Sequence, residues 1–203
     1  GDVLDWEKRG WPNWAIYQPV LEAALESGLK VVAGNIDRKI TRNVALRGFD
    51  AVEDAKAWGL DGELPKELAD ALDNVLMEGH CNLLPESALP AMRKVQRARD
   101  ASLADAMLAA SDKDGAILVT GSGHVRADFA VPYYLTARSA GDDWLAVQFV
   151  PVGDEEADPE KYLQHKSIDP AKTISIFTPR VDDKDHCAEL REHMSKKKKK
   201  GDG

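Results

Sequence analysis

The chain has 203 residues, 43% of them apolar and 31% charged, and a formal net charge of -8. That composition is ordinary for a folded globular protein and argues against disorder of the whole chain. The acidic balance argues against a general nucleic-acid binder, because phosphate recognition needs a basic surface. No segment approaches the ~20 apolar residues of a membrane-spanning helix. The chain opens at Gly1-Asp2-Val3 with no signal-peptide pattern.

Taken in chain order, the first element is an amphipathic helix. Tyr17, Val20, Leu21, Ala24 and Leu25 fall at i, i+3, i+4, i+7 and i+8, which is one helical face. Pro19 fits only near its first turn, and Gly28 is a natural stop. Leu29 to Ile36 is a short apolar run that reads as a buried strand. From Thr41 to Ala110 the pattern is helical, with Leu64, Leu68, Leu72, Val75 and Leu76 in register and a further helix running through Leu108. Strand signals return at Ala116–Thr120, Trp144–Val152 and Thr173–Phe177, with an acidic loop from Gly153 to Pro159. The expected class is therefore α/β, a mainly parallel sheet flanked by helices. Residues 1–40 and 111–194 are expected to form the sheet domain, with 41–110 as an inserted helical subdomain. Residues 195–203, with the run Lys196 to Lys200, read as a disordered basic tail.

Four constellations can carry chemistry. The turn Gly121-Ser122-Gly123-His124-Val125-Arg126 follows a strand signal, where ligands of open α/β sheets sit. Gly121 and Gly123 let backbone approach a ligand. His124 suits a metal, a proton or a haem pocket, and Arg126 suits a carboxylate or phosphate. The alternative is a tight turn with a hydrogen-bonded histidine. Gln96 and Asp100 share one helical stripe with Leu103 and Met107. A buried Asp100 needs an arginine, a histidine or a metal, and the alternative to a ligand site is a salt bridge joining insert to sheet. His80 and Cys81 end a predicted helix, where a capping histidine is the simpler reading; no zinc motif completes the pair. Tyr17, Tyr133 and Tyr134 are candidate haem ligands as tyrosinates, or packing residues. Cys81 and Cys187 either form one bridge or remain two separate buried thiols.

Several of these segments, in this order, resemble the ChaN-like haem-binding uptake family of the Tiki superfamily. They are Trp11-Pro12, Tyr17-Gln18-Pro19, Ala33-Gly34-Asn35-Ile36-Asp37-Arg38, Gly79-His80-Cys81, Gln96-Arg97-Ala98-Arg99-Asp100, Gly121 to Arg126, Val131-Pro132 and Phe177-Thr178-Pro179-Arg180-Val181. The resemblance runs from about Asp5 to Met194. It implies an α/β domain carrying a smaller helical domain, and haem (iron protoporphyrin) as the cofactor, in iron uptake. It also implies a lipid-anchored protein of the cell envelope, in periplasm or outer membrane, and a homodimer enclosing paired haems. A binding protein is then expected rather than an enzyme. Wider superfamily members are metal-dependent hydrolases with a Gly-x-x-His motif, which Gly121 to His124 matches; on that alternative His124 holds a divalent metal. A non-catalytic envelope scaffold is the third reading. The envelope location also favours a Cys81–Cys187 bridge.

One departure stands out. The family begins with a strand carrying a Gly-Glu-x-x-His-like motif, and a Phe-Glu segment follows; only four residues precede Asp5 here. The resemblance places the partners of His124, Arg99 and Asp100 on that strand.

Overall fold

A computed structural model describes Trp6 and residues 13–111, 114–140, 143–153, 158, 171–180 and 185–192. The basic tail and most of the acidic loop lie outside the described residues. The chain divides into two units, Gly1–Ala33 and Gly34–Gly203.

The first unit holds α1, Trp14–Glu26. Asn13 caps it, its side chain accepting from the Ala15 amide at 2.9 Å. Pro19 lies inside the helix rather than in its first turn. Gly28, at φ +72°, ends it. The Leu29 amide bonds the Ala24 carbonyl and the Gly28 amide the Leu25 carbonyl, closing a Schellman motif.

The second unit is mixed α/β with helices dominating. Among its helices are α2 (Arg38–Arg47), α3 (Lys66–Gly79), α4 (Leu89–Ala110) and α5 (Val131–Leu135), and residues 186–192 are helical too. Strands β1 (Ala146–Val152) and β2 (Thr173–Pro179) pair in parallel, Ala146 opposite Thr173. Ala146, Gln148 and Val150 turn inward, while Val147 and Phe149 stay exposed beside Ile174 and Ile176.

Two expected strands are not strands. Residues 29–36 and 116–120 have no ladder; among the described residues the ladder is that of β1 and β2, with an isolated bridge at Gly115. Apolar continuity marks a chain that can pair, but a ladder also needs a neighbour. Residues 116–120 show the consequence. Leu118 packs on the core, while Ile117 and Val119 are 86% and 61% exposed. The segment is covered on one side only, not on both.

α4 is the central element of this unit. Ala98, Ala101 and Ala104 are fully buried, and these small side chains let α2 and α5 approach closely. Val44 of α2, Leu60 and Tyr134 of α5 fill the space beside them. Arg93 of α4 forms a two-point ion pair with Asp73 of α3, at 2.8 and 2.5 Å. Gly34 lies against α4, its carbonyl accepting from the Ser102 hydroxyl at 2.7 Å. A Cβ there would stand 3.2 Å from both Ala106 and Leu103 side chains, so a side chain at this point would press them back by a few tenths of an ångström. Asp37 then caps α2 through the Ile40 amide at 2.7 Å.

Gly34→Val is expected to lower the free energy of unfolding by about 1–3 kcal/mol through overpacking. Urea titration checks this; a stability equal to the parent's would mean that α4 accepts a side chain at this point.

Candidate functional site

The site is built on one face of α4. Helical spacing puts Gln96, Arg99, Asp100 and Leu103 on that face, at i, i+3, i+4 and i+7. Facing it is the short turn Ser122–His124, closed by the His124 amide bonding the Gly121 carbonyl at 3.0 Å. Gly121 has φ -73°, which any residue adopts. A Cβ at Gly121 or Gly123 would meet no atom within 4 Å. Neither glycine is therefore required by the packing or geometry of the turn itself.

Asp100 is fully buried. Its Oδ1 lies 2.6 Å from His124 Nδ1, and its Oδ2 accepts from Gln96 Nε2 at 3.3 Å. Gln96 Nε2 also stands 3.2 Å from His124 Nδ1. An ionised carboxylate only accepts, so the 2.6 Å contact is an Nδ1–H donation. His124 Nε2 then carries the free lone pair, on a side chain 16% exposed. Burial pushes the Asp100 carboxyl up to about 6, against the pull of His124, Gln96 and the Arg99 charge.

The remaining candidates lie elsewhere. Arg126 already holds a carboxylate, that of Asp128, through two bonds of 3.0 and 2.7 Å. Its guanidinium also lies 4.4 Å from the centroid of the Phe129 ring. Tyr134 is fully buried, and its hydroxyl accepts from Arg97 Nε at 3.1 Å. Burial raises that hydroxyl to about 12. Tyr133 is half-buried, edge-on to Tyr134 with centroids 5.1 Å apart. Tyr17 belongs to the first unit, where it packs on Trp6. His80 caps α3, and its Nδ1–H donates to the Leu76 carbonyl at 2.8 Å, which leaves Nε2 as acceptor. The next two residues, Cys81 and Asn82, take left-handed backbone at φ 58° and 55°. Cys81 is bonded to Cys187, so the open choice between bridge and separate thiols resolves to the bridge.

Sequence reasoning missed the buried Arg97. It donates to Tyr134 and to the Gly62 carbonyl, at 2.8 Å, and lies 5.0 Å from the centroid of the Phe49 ring. The signal was present: Arg97 shares a face with Ala101 and Ala104, and an arginine on a buried alanine stripe needs partners.

Asp100 has a pH signature of its own. The folded carboxyl holds its proton more tightly than an unfolded one at 3.8. Its contribution to stability is thus full below about pH 4 and lost as pH rises through about 6. Asp100→Asn has no such loss. Its stability minus that of the parent is expected to grow by on the order of 2 kcal/mol from about pH 4 to about pH 8. Urea unfolding across that range measures it, and a flat or shrinking difference would contradict the burial.

No match was found among curated proteins or among solved structures. A family profile described as haem-binding uptake, Tiki superfamily, ChaN matches residues 1–135, which include α4, the His124 turn and α5. The chain therefore belongs to the ChaN family of haem-binding uptake proteins in the Tiki superfamily.

Proposed function

We propose that this protein binds haem for iron acquisition at the cell envelope, with His124 Nε2 as the atom that would hold its iron. The observation that carries the reading is the 2.6 Å Nδ1–Asp100 contact. A carboxylate behind an imidazole fixes its tautomer, raises its basicity and aims the far nitrogen at a metal. A haem iron already has four ring nitrogens, so one or two protein donors complete it. His124 meets that need, and His80, with Nδ1 committed to Leu76, is a second imidazole with a free Nε2.

The surroundings support the same ligand. Ile117 and Val119 expose apolar surface on the segment that leads into the turn, which suits a flat apolar macrocycle. The space before Gly121 and Gly123 is open to it. Bound haem supplies the iron. The chain supplies the oriented imidazole, the apolar surface and a positive charge at Arg99. The Cys81–Cys187 bridge supports an envelope location, because such bridges persist in oxidising compartments.

The Asp100–His124 pair also favours a second reading, a metal-dependent hydrolase in which His124 is a ligand or a general base. Elemental analysis for bound divalent metal, with chelator-sensitive hydrolysis, separates the two.

Hemin titration tests the main reading. The parent is expected to shift the Soret band at stoichiometric hemin, and His124→Ala to lose the shift. Asp100→Asn donates to Nδ1 instead of accepting, which moves the imidazole proton to Nε2. It is expected to weaken binding by about 10- to 100-fold. A parent that leaves the Soret band unchanged, or a His124→Ala variant that titrates like the parent, would overturn the assignment.

A further inference from the structure

Arginines near the site fall into two kinds. Arg93 pairs with Asp73, Arg97 with Tyr134 and Gly62, Arg126 with Asp128, and Arg138 with Asp105 at 2.6 Å, although Arg138 Nη1 is itself buried without a partner among the described residues. Arg99 differs. It is half-buried, its Nε is shut off from solvent, and that nitrogen has no hydrogen-bond partner among the described residues; unlike Arg138, it also makes no ion pair among them. The nearest acidic side chain on its own face does not answer it. Asp100 directs Oδ1 to His124 and Oδ2 to Gln96, and acts on Arg99 only through its charge.

An orphaned buried donor loses its water without replacement, a penalty that folded proteins rarely carry. A guanidinium is a planar fork of donors that matches one chemical group above others, a carboxylate or similar oxyanion. Arg99 lies on the same face of α4 as the residues that hold His124, one residue from Asp100. The unmet donor is thus carried on the face of α4 that holds the imidazole, whose Nε2 also has no partner among the described residues.

We infer that Arg99 is the anion-recognising residue of the His124 site, and that it receives a carboxylate carried by the ligand that His124 binds. This rests on the haem reading and deepens it: the ligand is recognised as a carboxylate-bearing porphyrin, not as any apolar porphyrin. The role that the sequence suggested for Arg126 passes to Arg99, because Asp128 occupies Arg126.

The test compares hemin with hemin dimethyl ester, whose two carboxylates are masked, in one detergent-containing buffer. Titrations use the full chain, the parent and Arg99→Gln. The parent is expected to bind the free acid about 10- to 100-fold more tightly than the ester. Arg99→Gln is expected to lose that preference by weakening the free acid alone. Equal binding of acid and ester by the parent overturns the inference and leaves the haem reading standing. So does an Arg99→Gln variant that keeps the preference. Binding of neither porphyrin overturns both.

Discussion

The Asp100 carboxylate is out of contact with water, and the other features of the site follow from how that charge is held. A carboxylate in such a place is unstable unless donors and positive charge reach it. Three do: the His124 Nδ1–H, the Gln96 amide and, at longer range, the Arg99 guanidinium. Two of the three come from α4 itself, at fixed helical offsets. The third comes from a turn 24 residues further along the chain. The contact therefore demands that α4 and the Gly121–His124 turn keep their places relative to each other.

The packing around α4 meets that demand. Its alanine stripe admits α2 and α5, Gly34 admits the chain that leads to α2, and Arg97 fastens α4 to Tyr134 and to the Gly62 loop. These are core contacts with their polar groups satisfied. The opposite condition holds at Arg99 Nε and His124 Nε2, which have donor or acceptor capacity and no protein partner among the described residues. Local stability is lower where polar groups are held for a ligand rather than for each other, a common trade at binding sites. Asp100 fits the same pattern, since its burial opposes the fold at neutral pH while it orients the imidazole.

Spacing made part of this legible. Gln96 and Asp100 at i and i+4 on a stripe with Leu103 mark a polar patch continuing an apolar face, and a buried Asp100 calls for an arginine, a histidine or a metal. Which of these answered was not readable, because periodicity carries no information across the distance between α4 and residue 124. Gly28 was legible as a helix end because the left-handed position after a helix selects glycine. The strands were half legible. Residues 146–152 and 173–179 have apolar runs and each other as neighbours, whereas 29–36 and 116–120 have the runs without the ladder. The partner of Arg126 was also within reach of the sequence: Asp128, two residues on, is the carboxylate it holds. The partner of Tyr134 was not readable, because sequence does not reveal that Arg97 donates to its hydroxyl.

The central claim is that Asp100 fixes the His124 ring with its proton on Nδ1 and its lone pair on Nε2. The direct measurement is the 15N NMR spectrum of the histidine ring nitrogens in the ligand-free protein above pH 7. For His124 the expected result is a protonated, hydrogen-bonded Nδ1 and an unprotonated Nε2, with the pattern changed in Asp100→Asn. An imidazole that carries its proton on Nε2, or one that averages freely between tautomers, would contradict the account.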